Sequence, residues 1–233
     1  MENGLIEVKG GRDGKKVVNA ITVDNTNDQW QSIQVGKTRL FQVHGPTRAC
    51  RWLFKNTNGN FSTMTETSLN HSRNHFALAN LGDRFIYAIG GSNDNNCLSS
   101  AERFDIENNM WEVLPPLREA RQGASACAHD GSVYVVCGLG TNSVPLCSIE
   151  KLSEAFNPIG EIGQWERYDL TGTSLIPRWF PIVSALNQSE IAILGGIGEV
   201  EGETGVLSDV ILFNVDSIST VQTVKNYPGL LAF

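Results

Sequence analysis

RNHFALANLGDRFIYAIGG (Arg73 to Gly91), followed by AERFD (Ala101 to Asp105) and Trp111, is the clearest copy of a pattern that recurs along this chain. Each copy has an arginine, a strand ending in glycine, a second strand and a large apolar residue. The second copy holds Arg121, VYVVCG (Val133 to Gly138), IEKL (Ile149 to Leu152) and Trp165; the third holds Arg178, IAILGG (Ile191 to Gly196), VILFN (Val210 to Asn214) and Val221. A period of roughly 50 residues indicates repeated structural modules.

The sequence predicts that each module is a β-sheet. Their apolar stretches are short, rich in Val, Ile, Phe and Tyr, and separated by Asn, Gly, Asp and Ser, which is the all-β pattern. In the clearest copy, we predict strands a to d at about 76–79, 84–89, 101–105 and from Trp111 onward. Phe104 and Trp111 are expected to wedge between adjacent sheets, because large rings bury most apolar area there.

A more degenerate copy precedes these three. It reads WQSIQV (Trp30 to Val35), RLFQVHG (Arg39 to Gly45) and CRWLF (Cys50 to Phe54), with Phe61 where tryptophan is expected. Phe54 and Phe61 have the spacing of Phe104 and Trp111, so we predict that the two pairs are equivalent. This gives four predicted modules.

Composition excludes several functions. The chain has 233 residues and a formal net charge of -7, which argues against a nucleic-acid or anionic-membrane surface. No apolar run approaches the ~20 residues of a membrane span. The five cysteines are odd in number and lack CxxC spacing, so we expect free thiols in a reducing, cytoplasmic location.

The glycine pairs Gly90-Gly91 and Gly195-Gly196, the aromatics Phe104 and Phe213, and the tryptophans Trp111 and Trp165 resemble the kelch repeat. The resemblance covers almost the whole chain from Trp30 onward and implies an all-β, kelch-type β-propeller in which each sheet is one blade. Several positions depart from the pattern: His44-Gly45 and Cys137-Gly138 replace glycine pairs, Leu152 replaces the aromatic, and Phe61 and Val221 replace tryptophan.

The predicted organisation is one domain, residues 1–233. It comprises an N-terminal hairpin (5–23), blades at about 29–65, 73–115, 121–168 and 178–224, and a tail (225–233). Because propellers usually have four to eight blades, two alternatives stay open. The hairpin and tail together form another blade, or the propeller is incomplete or unusually small, with an open edge that pairs with a partner strand. We favour the second.

Three arginines stand at equivalent positions, Arg73, Arg121 and Arg178, each 17 or 18 residues before the last glycine of its strand b. A ring of guanidinium groups would suit carboxylates, and in kelch adaptors the resemblance implies that arginines here line the peptide-binding face. We therefore predict a partner-binding site at these arginines, with His75 and Trp179 beside them. The alternative is that each arginine packs its stem on a neighbouring blade and caps a loop carbonyl.

The favoured function is a non-catalytic protein-interaction module, a scaffold or adaptor that recognises a protein or an acidic peptide. No catalytic set can be argued from spacing, and we expect neither metal nor cofactor: His71 and His75 have no evident third ligand. Two alternatives remain, a kelch-fold enzyme acting on a small molecule and a structural subunit completed by a partner strand.

Overall fold

Antiparallel β-sheets account for nearly all regular structure in a computed structural model of the chain, which describes residues 22–23, 30–36, 39–55, 61–93, 96–153, 163–170 and 175–224. The one helical segment within these ranges is a short 3-10 turn, Thr141–Ser143, so no helix there is long and apolar enough to cross a membrane. The all-β prediction is confirmed. Most of the predicted N-terminal hairpin and the whole tail lie outside the described residues.

Four main sheets follow one another along the chain, and each is a meander of sequential strands. Sheet 1 contains β1 (Thr22–Val23), β2 (Trp30–Val35), β3 (Arg39–His44), β4 (Ala49–Lys55) and β5 (Phe61–Ser68). Sheet 2 contains β6 (Ala77–Leu81), β7 (Phe85–Ile89), β10 (Ala101–Asp105) and β11 (Met110–Leu114).

Sheets 3 and 4 repeat the four-stranded arrangement. Sheet 3 contains β12 (Ser125–His129), β13 (Ser132–Val136), β14 (Ser148–Ser153) and β15 (Glu166–Asp169). Sheet 4 contains β17 (Ile182–Ala185), β18 (Glu190–Leu194), β21 (Val210–Asn214) and β22 (Ser219–Val224).

Two small sheets involve the loops between the second and third strands of sheets 2 and 4, and the second of them also takes in a strand that precedes sheet 4. One is the hairpin of β8 (Ser92–Asn93) and β9 (Asn96–Cys97). The other joins β16 (Arg178–Trp179), β19 (Ile197–Val200) and β20 (Glu203–Val206). Together with the main sheets they give 22 strands in the described part of the chain.

The hydrophobic core is divided into three clusters, one between each pair of consecutive sheets. Phe104 (0% exposed) and Trp111 (7% exposed) pack from sheet 2 towards sheet 1, as the sequence predicts. Leu152 and Trp165 pack from sheet 3 towards sheet 2, and Phe213 packs from sheet 4 towards sheet 3. A sheet buries both faces only by packing against neighbours, so the modules depend on one another.

Sheet 1 departs from the prediction. Its aromatics Phe41, Trp52 and Phe54 point towards sheet 2, where the ring of Phe41 stacks on Phe104 with centroids 4.9 Å apart. Phe104 points in the opposite direction, back towards sheet 1, so the predicted equivalence of Phe54 and Phe104 is wrong. The physical reason is the period of two along a strand, because an odd shift in alignment moves every side chain to the other face.

Candidate functional site

The three predicted arginines occupy equivalent positions in sheets 2, 3 and 4, and all three side chains are fully buried. Arg73 Nη1 donates to the carbonyl oxygens of Gly90 (2.6 Å) and Ser100 (3.0 Å), at the end of one strand and just before the next. Arg121 donates in the same way to the carbonyl of Cys137 at 2.8 Å, and Arg178 to that of Gly195 at 2.8 Å. Each guanidinium thus binds the end of the second strand of its own sheet, next to the start of the third.

Each arginine is also paired with an acid, and we call these pairs the arginine brackets. Arg73 Nη2 lies 2.7 Å from Glu102 Oε1, and Arg121 Nη2 lies 2.8 Å from Glu150 Oε1. Arg178 binds Asp209 through both guanidinium ends, at 2.7 and 2.8 Å, in the bidentate geometry that stabilises such pairs most. The acids of the first two brackets are themselves fully buried.

The brackets overturn the prediction that Arg73, Arg121 and Arg178 offer their guanidinium groups to a partner. Their charges are neutralised by carboxylates of the same chain, and their Nη donors are bound to the protein's own backbone. The alternative given with that prediction, in which the arginines pack inside the fold and cap loop carbonyls, is the observed arrangement. A buried guanidinium with partners of this kind is structural.

The acids of the first two brackets also bind the loop that precedes the first strand of their own sheet. Glu102 accepts hydrogen bonds from the backbone N–H groups of Asn70 (2.6 Å) and His71 (3.1 Å). Glu150 accepts from Arg118 and Glu119 in the equivalent loop, at 2.7 and 3.0 Å. Burial alone raises the pKa of Glu102, but the hydrogen bond and charge of Arg73 and the Asn70 N–H outweigh it, so the net pKa lies below its ordinary value.

A second repeated feature lies two residues after each arginine. His75, Gly123 and Phe180 all have positive φ, at 49°, 59° and 52°. The Gly123 N–H donates to the His75 carbonyl (2.8 Å), and the Phe180 N–H donates to the Gly123 carbonyl (2.6 Å). These two bonds run from sheet to sheet, so the three positions form one continuous backbone ladder along the edge of the array.

The ladder brings two rings together. His75 and Phe180 are both exposed, Phe180 to 48%, and their rings meet edge to face with centroids 5.6 Å apart. They meet across Gly123, where an added Cβ would lie only 3.0 Å from the Phe180 ring. The absence of a side chain at Gly123 therefore lets one residue of sheet 2 contact one of sheet 4.

The predicted residue Trp179 lies next to Phe180 and is half-buried. It belongs to β16, where it pairs with Ile197 of β19. The equivalent residues Asn74 and Gln122 form single bridges to Ser92 and Leu139. Each loop between second and third strands is thereby joined to the arginine loop of its own sheet, and together these loops form one surface, which we call the loop face.

The loop face carries exposed apolar and acidic side chains. Val144 is 56% exposed on the loop of sheet 3, and Val200 and Val206 are 47% and 71% exposed on the β19–β20 hairpin. Glu199, Glu201 and Glu203 of the same hairpin are also exposed. The loop face is therefore apolar and aromatic with an acidic flank.

His71 and His75, considered together in the sequence, have different surroundings. His71 is exposed with Nδ1 3.4 Å from Glu102, whereas His75 contacts Phe180. Within the described ranges, no three His, Cys, Asp or Glu side chains are grouped to hold a metal ion. All five cysteines are free thiols, and burial raises the pKa of Cys50, Cys127 and Cys137 to about 12.

Sequence reasoning missed Gly123, Phe180 and the three acids. A signal for the acids was present, because Glu102, Glu150 and Asp209 follow their arginines by 29, 29 and 31 residues. Phe180 and Gly123 could have been found by extending the alignment of the repeats two residues past the arginine. The exposure of Phe180 and the contact of its ring with His75 across Gly123 could not have been found in this way, because they depend on how the sheets pack against one another.

Comparison with known proteins agrees with this repeated architecture. Residues 73–118 match the Kelch motif, a segment that covers sheet 2 and its bracket arginine. The chain is 37% identical over 75 residues to the F-box/kelch-repeat protein SKIP20 of Arabidopsis thaliana, covering 31% of this chain and 18% of that protein. It is 26% identical over 155 residues to Kelch repeat protein C2 of vaccinia virus (strain Western Reserve), covering 66% of this chain and 28% of that protein.

A chain of consecutive antiparallel sheets, each buried against the next and three of them holding an arginine bracket, is a β-repeat protein. One segment of this chain matches the Kelch motif, and longer segments are similar to kelch-repeat proteins. The matches span less than a third of the length of these relatives.

Proposed function

We propose that this chain is a non-catalytic protein-interaction module that binds its partner on the loop face. The observation that carries the proposal is the exposed His75–Phe180 ring pair, which spans two sheets across Gly123. Exposed aromatic side chains on rigid supports are the usual anchors of protein interfaces. The kelch-repeat relatives, one of them an F-box/kelch-repeat protein, support an interaction role over a catalytic one.

The sheets supply the rigidity that such an anchor needs. Phe180 is held by its N–H bond to Gly123, and the bracket of Arg178 and Asp209 fixes the start of the same loop. A preorganised anchor loses little conformational freedom on binding, so more of its contact energy appears as affinity.

The acidic-peptide hypothesis needs revision within this proposal. Its basis was a set of exposed guanidinium groups, and these are bound internally. The exposed charges of the longest loop, Glu199, Glu201 and Glu203, would repel an acidic ligand. We therefore propose a ligand segment with an apolar or aromatic anchor and neutral or basic neighbours.

The decisive variant is Phe180→Asn, tested by affinity capture from source-cell extract with quantitative mass spectrometry against wild type. Asparagine tolerates positive φ, so the loop keeps its backbone while the exposed ring is lost. We expect partner recovery to fall about tenfold or more, the loss typical of an interface anchor.

Val113→Ser is the matched control, because Val113 is 58% exposed on β11, the last strand of sheet 2, away from the ring pair. It should leave recovery unchanged. A set of captured proteins that is the same for wild type and Phe180→Asn would refute the loop face as the binding surface. A synthetic poly-glutamate peptide, followed by fluorescence anisotropy, tests the acidic-ligand alternative directly.

We further propose that the four sheets are blades of a kelch-type propeller that is incomplete, and that the protein works in the cytoplasm. The first is supported by the three inter-sheet clusters, none of which combines described residues of sheets 1 and 4. The second is supported by the five free thiols, which suit a reducing compartment.

A further inference from the structure

The small sheet that contains β16 carries an apolar row across its three strands. Trp179 of β16 pairs directly with Ile197 of β19, and Ile197 pairs with Val206 of β20. Residues directly opposite each other in antiparallel strands lie on the same face of a sheet, so the three side chains are neighbours. We call them the tryptophan row. Trp179 and Ile197 are both partly exposed.

An acid lies on the same face as the tryptophan row. Glu199 comes two residues after Ile197 on β19, so its side chain points to the same side of the sheet, about 6.6 Å farther along the strand. Glu199 is exposed. Among the described residues, no Lys or Arg side chain forms an ion pair with Glu199 or lies over the ring of Trp179. This face therefore holds an aromatic ring and a carboxylate with no cation of the same chain between them.

The equivalent rows of sheets 2 and 3 begin with an amide side chain in place of the ring; they are Asn74–Ser92–Cys97 and Gln122–Leu139–Pro145. The third residue of such a row contacts the next module, since Cys97 Sγ donates to the Leu139 carbonyl at 3.4 Å. The first two residues of the row in sheet 3 are partly exposed although sheet 4 lies beside them. A neighbouring sheet thus leaves these two positions open, and we restrict the candidate site to Trp179, Ile197 and Glu199.

Sheet 2 contains the arrangement that would complete such a site. Arg103 lies over the Phe85 ring at 4.3 Å, and its Nε donates to Glu112 at 2.7 Å. In sheet 1 the Arg51 guanidinium covers the indole ring of Trp30 at 4.1 Å. A guanidinium suits both contacts because it is planar and delocalised, so that it stacks on a ring while its edge donates to a carboxylate. A lysine ammonium offers a point charge without that flat surface.

We propose that Trp179, Ile197 and Glu199 bind an arginine side chain of the protein partner. The methylene stem packs on Ile197, the guanidinium plane lies on the indole ring of Trp179, and its N–H groups donate to the Glu199 carboxylate. This inference rests on the proposed function, because it names one residue of the segment that binds the loop face. Phe180, which follows Trp179 directly, would contact the apolar anchor of the same segment.

Nuclear magnetic resonance of the isotope-labelled full chain tests the site with N-acetylarginine amide as the probe. The indole N–H signal of Trp179 is assigned by its loss from the spectrum of Trp179→Leu, and its shift is followed as the probe is added at constant ionic strength. We expect a saturable shift with a dissociation constant on the order of 1 mM, the range for a ligand of this size. N-acetylcitrulline amide, which has nearly the same shape without the charge, should bind at least fivefold more weakly.

Two exposed carboxylates provide the matched variants. Glu199→Gln removes the charge at the site and should weaken binding of the arginine probe about two- to fivefold. Asp83→Asn is the control, because Asp83 is exposed in the turn between β6 and β7, at the end of sheet 2 opposite the loop face. It should leave the affinity unchanged, and a loss equal to that of Glu199→Gln would show that only the net charge of the protein matters.

Three further results would overturn the arginine site. They are an indole signal of Trp179 that does not move, equal affinity for the arginine and citrulline probes, and equal affinity for N-acetyllysine amide. These results are independent of the capture experiment with Phe180→Asn. Loss of capture without arginine binding would remove this site and leave the loop-face proposal standing, whereas arginine binding with unchanged capture would do the reverse.

Discussion

Arg73, Arg121 and Arg178 show how a charged residue can be required by a fold without being offered to a partner. Each sits where two strands leave a sheet, and its planar fork reaches carbonyl oxygens at that point and an acid at once. Burying both charges is tolerated because the Nη groups and the carboxylate bind each other and adjoining backbone groups, while the Nε atoms of Arg73 and Arg121 have no partner among the described residues. Removing one member leaves the other charged, buried and unpaired.

Arg121→Ala is therefore expected to lower the free energy of unfolding by about 3 to 5 kcal/mol, because Glu150 is left as an uncompensated buried charge. Arg84→Ala is the comparison: Arg84 is 47% exposed and pairs with Asp105 at 3.3 Å, so its loss should cost about 1 kcal/mol or less. Urea denaturation of both variants measures the two values. Equal, small losses would show that the bracket does not stabilise the fold.

The bracket of sheet 2 also predicts a dependence of stability on pH. The pKa of Glu102 is held below its ordinary value, so Glu102 contributes stability that is complete above the unfolded-state pKa. That contribution is lost as pH falls below about 4.5 and through the lower folded-state pKa. Glu102→Gln should be less stable than wild type at neutral pH, and the gap should narrow as the solution is acidified. Denaturation at pH 7 and pH 3 checks this, and a constant gap would contradict it.

At the level of strands and sheets, much could be predicted from sequence because the repeat aligns equivalent strands against one another. The strand containing FIYAIGG and the burial of Phe104 and Trp111 follow from alternation and ring size. The face of sheet 1 on which Phe54 lies could not be predicted. A one-residue change in the alignment of this most degenerate copy moves the side chain to the other face. The burial of Arg121 could not either, because it depends on an acid 29 residues away that sequence alone does not place beside it.

The tryptophans near the ends of the modules make the links between sheets testable. Trp165 is fully buried, and its Nε1 donates to the Pro115 carbonyl at 3.0 Å, which ties sheet 3 to the segment that follows β11 of sheet 2. Trp111 is also buried, but its Nε1 has no oxygen or nitrogen partner among the described residues.

Trp165→Phe should consequently destabilise the protein more than Trp111→Phe, by about 1 kcal/mol, the net value of the lost hydrogen bond. Both substitutions remove a similar ring area, so each serves as the control for the other. Thermal unfolding followed by circular dichroism measures the difference. The opposite order would mean that packing against sheet 1, and not the Pro115 bond, dominates the energetics of these positions.

For the whole molecule, stability is expected to be graded along the array because the sheets are covered unequally. Sheets 2 and 3 are buried on both faces, whereas the face of sheet 4 that points away from sheet 3 is partly exposed, with Ile182 37% exposed. All four residues of β20 are exposed on the hairpin that extends from sheet 4. Local opening costs least where few apolar contacts are broken.

Hydrogen exchange measured by mass spectrometry should resolve this gradient. We expect the slowest amide exchange in β7 and β13, the second strands of the two enclosed sheets, faster exchange in β18, and the fastest in β20. Equal protection of β7, β13 and β18 would mean that sheets 2, 3 and 4 open as one unit, and that the partly exposed face of sheet 4 does not lower its local stability.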